Sequence, residues 1–121
     1  MATETESTAG NGKVRLGGVE LAVGDPTVDF AEGTAVTVCI RPEDVLARGI
    51  TAGAPNAFEA IVSELEFLGS FFRANLTARG TNDTKFRADF SVNLVRDIGV
   101  AQGNSLTVAL PEDRIRVFAG P

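Results

Sequence analysis

A chain of 121 residues with a formal net charge of -5, one cysteine and no histidine has room for one domain with a single core. The lone Cys39 excludes an internal disulfide and paired-cysteine zinc or redox motifs. The absence of histidine removes the commonest general base and metal ligand, and with them every Ser-His-Asp or Cys-His arrangement. The acidic balance also opposes nucleic acid as a partner, since phosphate-backbone binding needs clustered Lys and Arg.

Residues 1–12 are small, polar or acidic without apolar periodicity, the composition of a disordered leader, so the fold is expected over 13–121. An acidic opening, Met1-Ala2-Thr3-Glu4-Thr5-Glu6, is the opposite of a signal peptide's basic start. No apolar run approaches the ~20 residues of a membrane span, so neither export by that route nor membrane insertion is expected. Lys13 to Leu16 and Val19 to Val23 alternate around Gly17-Gly18, the pattern of a hairpin with a tight turn. Ala35 to Ile40 alternates again, with Val36, Val38 and Ile40 on one face and Thr37 and Cys39 on the other. Arg41-Pro42 ends that strand, because proline lacks the ladder donor.

Two readings compete over 56–69. Phe58, Ile61, Val62, Leu65, Leu68 and Phe72 recur at helical spacing, with Asn56 placed as an N-cap and Gly69 as a stop. As a strand, the same stretch changes apolar phase near Ser63 and requires a bulge or strong bend. Beyond Ser70, Phe72, Ala74, Leu76 and Ala78 face one way and Arg73, Asn75 and Thr77 the other. Phe86, Ala88 and Phe90 then alternate with Lys85, Arg87 and Asp89, so these two strands should pair antiparallel. A turn over Gly99 to Asn104 precedes a strand through Leu106, Val108 and Leu110 and a short last one through Ile115 and Val117. About eight short strands suffice to close a small antiparallel β-barrel, an all-β fold.

Val36 to Asp44 and Leu106 to Asp113 echo one another, each a strand stopped by Pro and followed by Glu-Asp. Arg41-Pro42-Glu43-Asp44 is read either as a contact for an anion or protein partner through Arg41, or as a strand terminator with a surface ion pair. Glu43, Asp44, Glu64, Glu66, Glu112 and Asp113 fit solvated strand edges better than an acid-base pair or calcium loop. Of the eight phenylalanines, alternation sends Phe72, Phe86 and Phe90 inward. It leaves Phe71 outward beside Arg73, as at protein interfaces, and Phe118 is placed similarly. Cys39 reads as a small buried filler. Gly10, Gly12, Gly17 and Gly18 are turn residues, since Lys13 is followed by Val14 where a phosphate loop needs Ser or Thr. The acceptor patterns at Asn75 and Asn82 carry no meaning without a secretory context. No catalytic residue, cofactor site or metal site is assigned.

Three phrases in order, Ile40-Arg41-Pro42-Glu43-Asp44-Val45, Glu66-Phe67-Leu68-Gly69-Ser70-Phe71-Phe72-Arg73 and Leu110-Pro111-Glu112-Asp113-Arg114-Ile115-Arg116-Val117-Phe118, resemble the TOBE domain. This is the small regulatory barrel on the C-terminal side of ATP-binding subunits of bacterial ABC importers. The resemblance runs from about Lys13 to Phe118. It implies an OB-like barrel, favours the bent strand over 56–69, and marks Arg41, Pro42, Glu43, Phe67, Gly69, Phe71, Arg73 and Phe118 as family-motif or interface residues. It further implies an ABC ATPase domain and a second copy of the subunit as partners, with the membrane permease reached indirectly at the inner, cytoplasmic face. The phosphate loop, magnesium-binding acid and signature sequence of such an ATPase are absent, so the chain looks like an excised, non-catalytic portion. Its second phrase is similar to the branch serving polyamines, ferric iron or aminophosphonates. Related barrels bind molybdate or other oxyanions, which makes an oxyanion sensor the alternative; their Ser-Ala-Arg-Asn type phrase is missing here. A domain-swapped hairpin from Lys13 to Val23 is one route to a dimer.

Overall fold

Period-two burial builds the framework of the computed structural model, which describes residues 2–7, 13–16, 19–23, 35–51, 53–79 and 84–119. In chain order the strands are β1 (Ala2–Ser7), β2 (Lys13–Leu16), β3 (Val19–Ala22), β4 (Ala35–Cys39), β5 (Ala57–Phe67), β6 (Phe71–Ala78), β7 (Lys85–Ser91), β8 (Ser105–Ala109) and β9 (Arg116–Ala119). A short helix α1 (Val92–Ile98) lies between β7 and β8, and a 3-10 turn (Pro42–Asp44) follows β4. All described strand pairings are antiparallel, in a five-stranded sheet ordered β3-β2-β1-β4-β9 and a four-stranded sheet ordered β7-β6-β5-β8.

One apolar cluster joins the two sheets. Val14, Leu21, Val36, Val38 and Val117 come from the first, and Phe58, Val62, Leu76, Phe86, Phe90 and Val108 from the second. Each fully buried side chain of this size contributes about 1.5–3 kcal/mol. Val14 and Leu21 are wholly buried in this core. The strands of their hairpin pair from Lys13↔Ala22 to Leu16↔Val19; the expected Gly17-Gly18 turn itself lies outside the described residues, as do Gly10, Gly12 and Asn82.

The bent strand over 57–67 is present. Val62 pairs with Leu76 but Glu64 pairs with Asn75, so Ser63 is the extra residue of a bulge. Phe58, Ala60 and Val62 are buried before it, and Leu65 takes over the inward phase after it. The Ser63 hydroxyl donates to the Asn75 carbonyl at 3.0 Å, closing the gap the bulge opens. The inserted residue turns one two-residue step into the three-residue step from Val62 to Leu65, and this break in the period lets the segment imitate a helix.

Three expectations need correction. Residues 2–7, read as part of a disordered leader, form β1 between β2 and β4, from Glu6↔Arg15 on one side to Ala2↔Cys39 on the other. A strand with two neighbours satisfies its backbone groups whatever its composition or apolar pattern. The helix α1 was not anticipated: Ser91 Oγ accepts from the Leu94 N–H at 3.1 Å and Gly99 at φ 69° closes it, but seven residues hold too little periodicity to register. Cys39 is half-buried rather than buried, because it lies on the outward phase of β4.

Candidate functional site

The residues singled out from the sequence fall into two clusters on either side of the 3-10 turn. In the first, β5 and β6 run on as a hairpin whose turn is Gly69-Ser70. Gly69 has φ 96° and the Leu68 N–H donates to the Phe71 carbonyl at 2.8 Å, so glycine occupies the first central position, where a positive φ is needed. The inward phase of β5 continues past the core, and Phe67 emerges 56% exposed. Its ring leans on Phe72 across the hairpin at 5.0 Å between centroids and 45° between planes. Phe72 is therefore half-buried, a partial departure from the inward placement expected of it.

On the opposite face of the same hairpin, Glu66, Arg73 and Asp89 form one row across three strands. Arg73 donates to both carboxylate oxygens of Asp89, Nε to Oδ1 at 2.9 Å and a terminal nitrogen to Oδ2 at 3.1 Å. Its guanidinium carbon also lies 5.7 Å from the centre of the Phe71 ring, a cation-π distance. The hydrogen bond to Asp89, then that carboxylate's charge, hold the Arg73 guanidinium above its ordinary pKa; Glu66 and Glu43 add to the effect. The 3-10 turn packs against β7, so Glu43 is among the charges that act on Arg73 although it is far from it in sequence.

The second cluster is a groove of about 490 Å³ lined by Cys39, Ile40, Arg41, Asp44, Arg114, Arg116 and Phe118. Pro42 starts the 3-10 turn with its fixed φ, and the Asp44 N–H donates back to the Arg41 carbonyl at 2.9 Å. That turn places Arg41 and Asp44 on the groove wall. Opposite them, β9 is the last strand of its sheet among the described residues, and Phe118 stands 58% exposed upon it. Arg116 Nη1 donates to the carbonyls of Asp113 and Ile115, at 3.0 and 3.1 Å, and Arg114 lies 3.9 Å from the Asp113 carboxylate.

Phe67, Gly69, Phe71, Arg73 and Glu43 therefore converge on the hairpin, while Arg41 and Phe118 converge on the groove, with Pro42 joining the two. Arg114, Arg116, Asp44 and Asp89 were not picked out as site residues. The Pro-Glu-Asp echo was the available signal for the groove, because it places the ends of β4 and β8 at similar turns. Among the described residues no three His, Cys, Asp or Glu side chains are grouped to hold a metal ion, and no helix is long and apolar enough to cross a membrane. The arrangement offers charge and aromatic surface for contact, and the groove offers guanidinium donors to an anion.

These features define a small all-β antiparallel domain. The chain belongs to the TOBE domain family, whose model matches residues 38–118. It is 31% identical over 124 residues to the Fe(3+) ions import ATP-binding protein FbpC 2 of Rhizobium meliloti strain 1021, covering 93% of this chain and 31% of that protein. It is also 31% identical over 110 residues to the sulfate/thiosulfate import ATP-binding protein CysA 2 of Chromobacterium violaceum, covering 88% of this chain and 30% of that protein. The chain thus spans about a third of the length of these curated relatives. In fold it is similar to the cytoplasmic molybdate-binding protein ModG in a molybdate-bound crystal form, with a TM-score of 0.79 at 18% identity over 99% of this chain and 96% of that one.

Proposed function

We propose that this chain is the regulatory and dimerisation domain of an ABC importer's ATP-binding subunit, without catalytic activity of its own. In this role it acts at the cytoplasmic face of the membrane, beside an ATPase domain and a second copy of the subunit, and reaches the permease only through them. The observation that carries the reading is the hairpin tip. Phe67 is held out at the end of the β5–β6 hairpin by a glycine turn, beside an arginine held between Phe71 and Asp89. Exposed aromatics next to a fixed arginine are the usual anchors of protein interfaces. Such a domain regulates by making different contacts in the open and closed states of the ATPase pair, shifting the balance between them. The second motif phrase and the relation to a ferric-ion importer subunit favour a cargo such as ferric iron, a polyamine or an aminophosphonate.

A second reading rests on the groove. Arg41, Arg114 and Arg116 line one opening, and such a set of donors suits an oxyanion of the molybdate or sulfate kind. Light scattering of the chain over a wide concentration range, with and without molybdate, sulfate and phosphate, separates the two. A concentration-dependent dimer indifferent to anions supports the importer-subunit role. An anion-dependent mass, with saturable binding that Arg41→Ala removes, supports the sensor.

A further inference from the structure

The two clusters are neighbours, and they carry opposite charge. The 3-10 turn Pro42–Asp44 contributes Glu43 to the hairpin side, where it acts on Arg73, and Asp44, with the preceding Arg41, to the groove. On the hairpin side Glu66 and Asp89 flank Arg73 in one row across three strands, and Glu43 acts on it from the 3-10 turn, which packs against β7. On the groove side three arginines, Arg41, Arg114 and Arg116, outnumber Asp44 and Asp113. The basic side also carries Phe118, 58% exposed.

A single-sign partner would be repelled by one half of this surface. A second copy related by a two-fold axis meets no such conflict, because the rotation brings each acidic half opposite a basic one and lets the same contact form twice. From this juxtaposition we infer that the hairpin tip and the groove together form the contact between two copies of this chain. Glu43 and Glu66 of each copy face Arg114 and Arg116 of the other, beside the exposed Phe118. The inference rests on the dimerisation reading above and specifies its surface.

Charge reversal tests it. One variant, Arg114→Glu with Arg116→Glu, makes both halves of the patch net acidic; the other, Glu43→Lys with Glu66→Lys, makes both halves net basic. All four side chains are exposed, and circular dichroism with thermal melting establishes that each variant folds. Each variant alone should dimerise at least about tenfold more weakly than the unmodified chain, while a 1:1 mixture should recover the dimer mass as a heterodimer that high salt weakens. Phe118→Ser, which leaves the charges in place, should weaken the dimer as well. An unmodified chain that stays monomeric at every concentration overturns the dimerisation reading and this surface together. A normal dimer whose charge-reversed variants self-associate unchanged and show no preference for one another overturns the surface alone.

Discussion

Asn56 holds Ala22 by both ends of its backbone polar pair. The Asn56 side-chain oxygen accepts from the Ala22 N–H at 2.8 Å, and its amide nitrogen donates to the Ala22 carbonyl at 2.8 Å. The same nitrogen donates to the Leu110 carbonyl at 2.8 Å. The amide thus imitates a strand neighbour for β3 while tying it to the end of β8, so that one side chain stitches the two sheets together. Its backbone is at φ 56°, a left-handed conformation that asparagine tolerates better than most residues.

Replacing Asn56 separates these two contributions. Asn56→Gly keeps the backbone conformation and loses the stitch, leaving Ala22 and Leu110 groups to find other partners; a loss of about 1–3 kcal/mol in urea unfolding is expected. Asn56→Ala should cost about 1 kcal/mol more, since a Cβ without a compensating polar group is penalised at positive φ. Equal losses for both variants would mean that the backbone conformation carries none of the cost.

Gly69→Ala isolates turn strain at the hairpin. A Cβ added there meets nothing within 4 Å while φ is 96°, so the penalty is conformational, about 1–2 kcal/mol. Gly69→Asn should cost less. Because the turn sets the projection of Phe67, any association measured by light scattering should weaken with Gly69→Ala more than a remote substitution of equal stability cost would explain.

The Arg73 and Asp89 side chains form a bidentate pair that is only partly shielded, at 36% and 17% exposed. Asp89→Asn should lower the melting temperature by at most a few degrees in dilute buffer, with the difference shrinking at high salt. Since the folded-state pKa of Arg73 is raised above its ordinary value, its contribution is complete below the ordinary arginine range and is lost only as pH rises through that higher value in strong alkali. Titration across the neutral range should therefore leave this contribution intact.

Phe90 probes the shared core. It is 2% exposed and pairs with Phe72 across the ladder, so Phe90→Ala should cost about 3–5 kcal/mol through lost burial and a residual cavity. Phe67→Ala, at the exposed end of the same sheet, should change stability by less than about 1 kcal/mol. Denaturant midpoints compared at constant slope check both values.

Strand existence was legible wherever one face is buried and the other is not, because side chains alternate with period two along any strand. Val36, Val38, Leu76, Phe86, Phe90 and Val108 could be placed inward on that basis alone, and the Ser63 bulge announced itself as a change of phase. The outward positions of Phe71 and Arg73, and the strand-ending role of Pro42, followed from the same local rules. Cys39 is half-buried because its outward phase on β4, and not its small size, sets its burial. The strand at Ala2–Ser7 and the helix at Val92–Ile98 left no usable pattern, the first because its place between two neighbours rests on backbone pairing and the second because it is too short.

Pattern could assign each residue to a face, but it could not say which faces and strand ends become neighbours. That depends on contacts between residues distant in the chain, such as Asn56 with Ala22, Arg73 with Asp89, and the grouping of Arg41 with Arg114, Arg116 and Phe118. Such proximities are set by sheet order and register, because local propensity acts over a few residues whereas the packing of one shared core selects how the strands assemble. The acidic hairpin and the basic groove therefore exist as a single two-sided surface only once the chain has folded around that core.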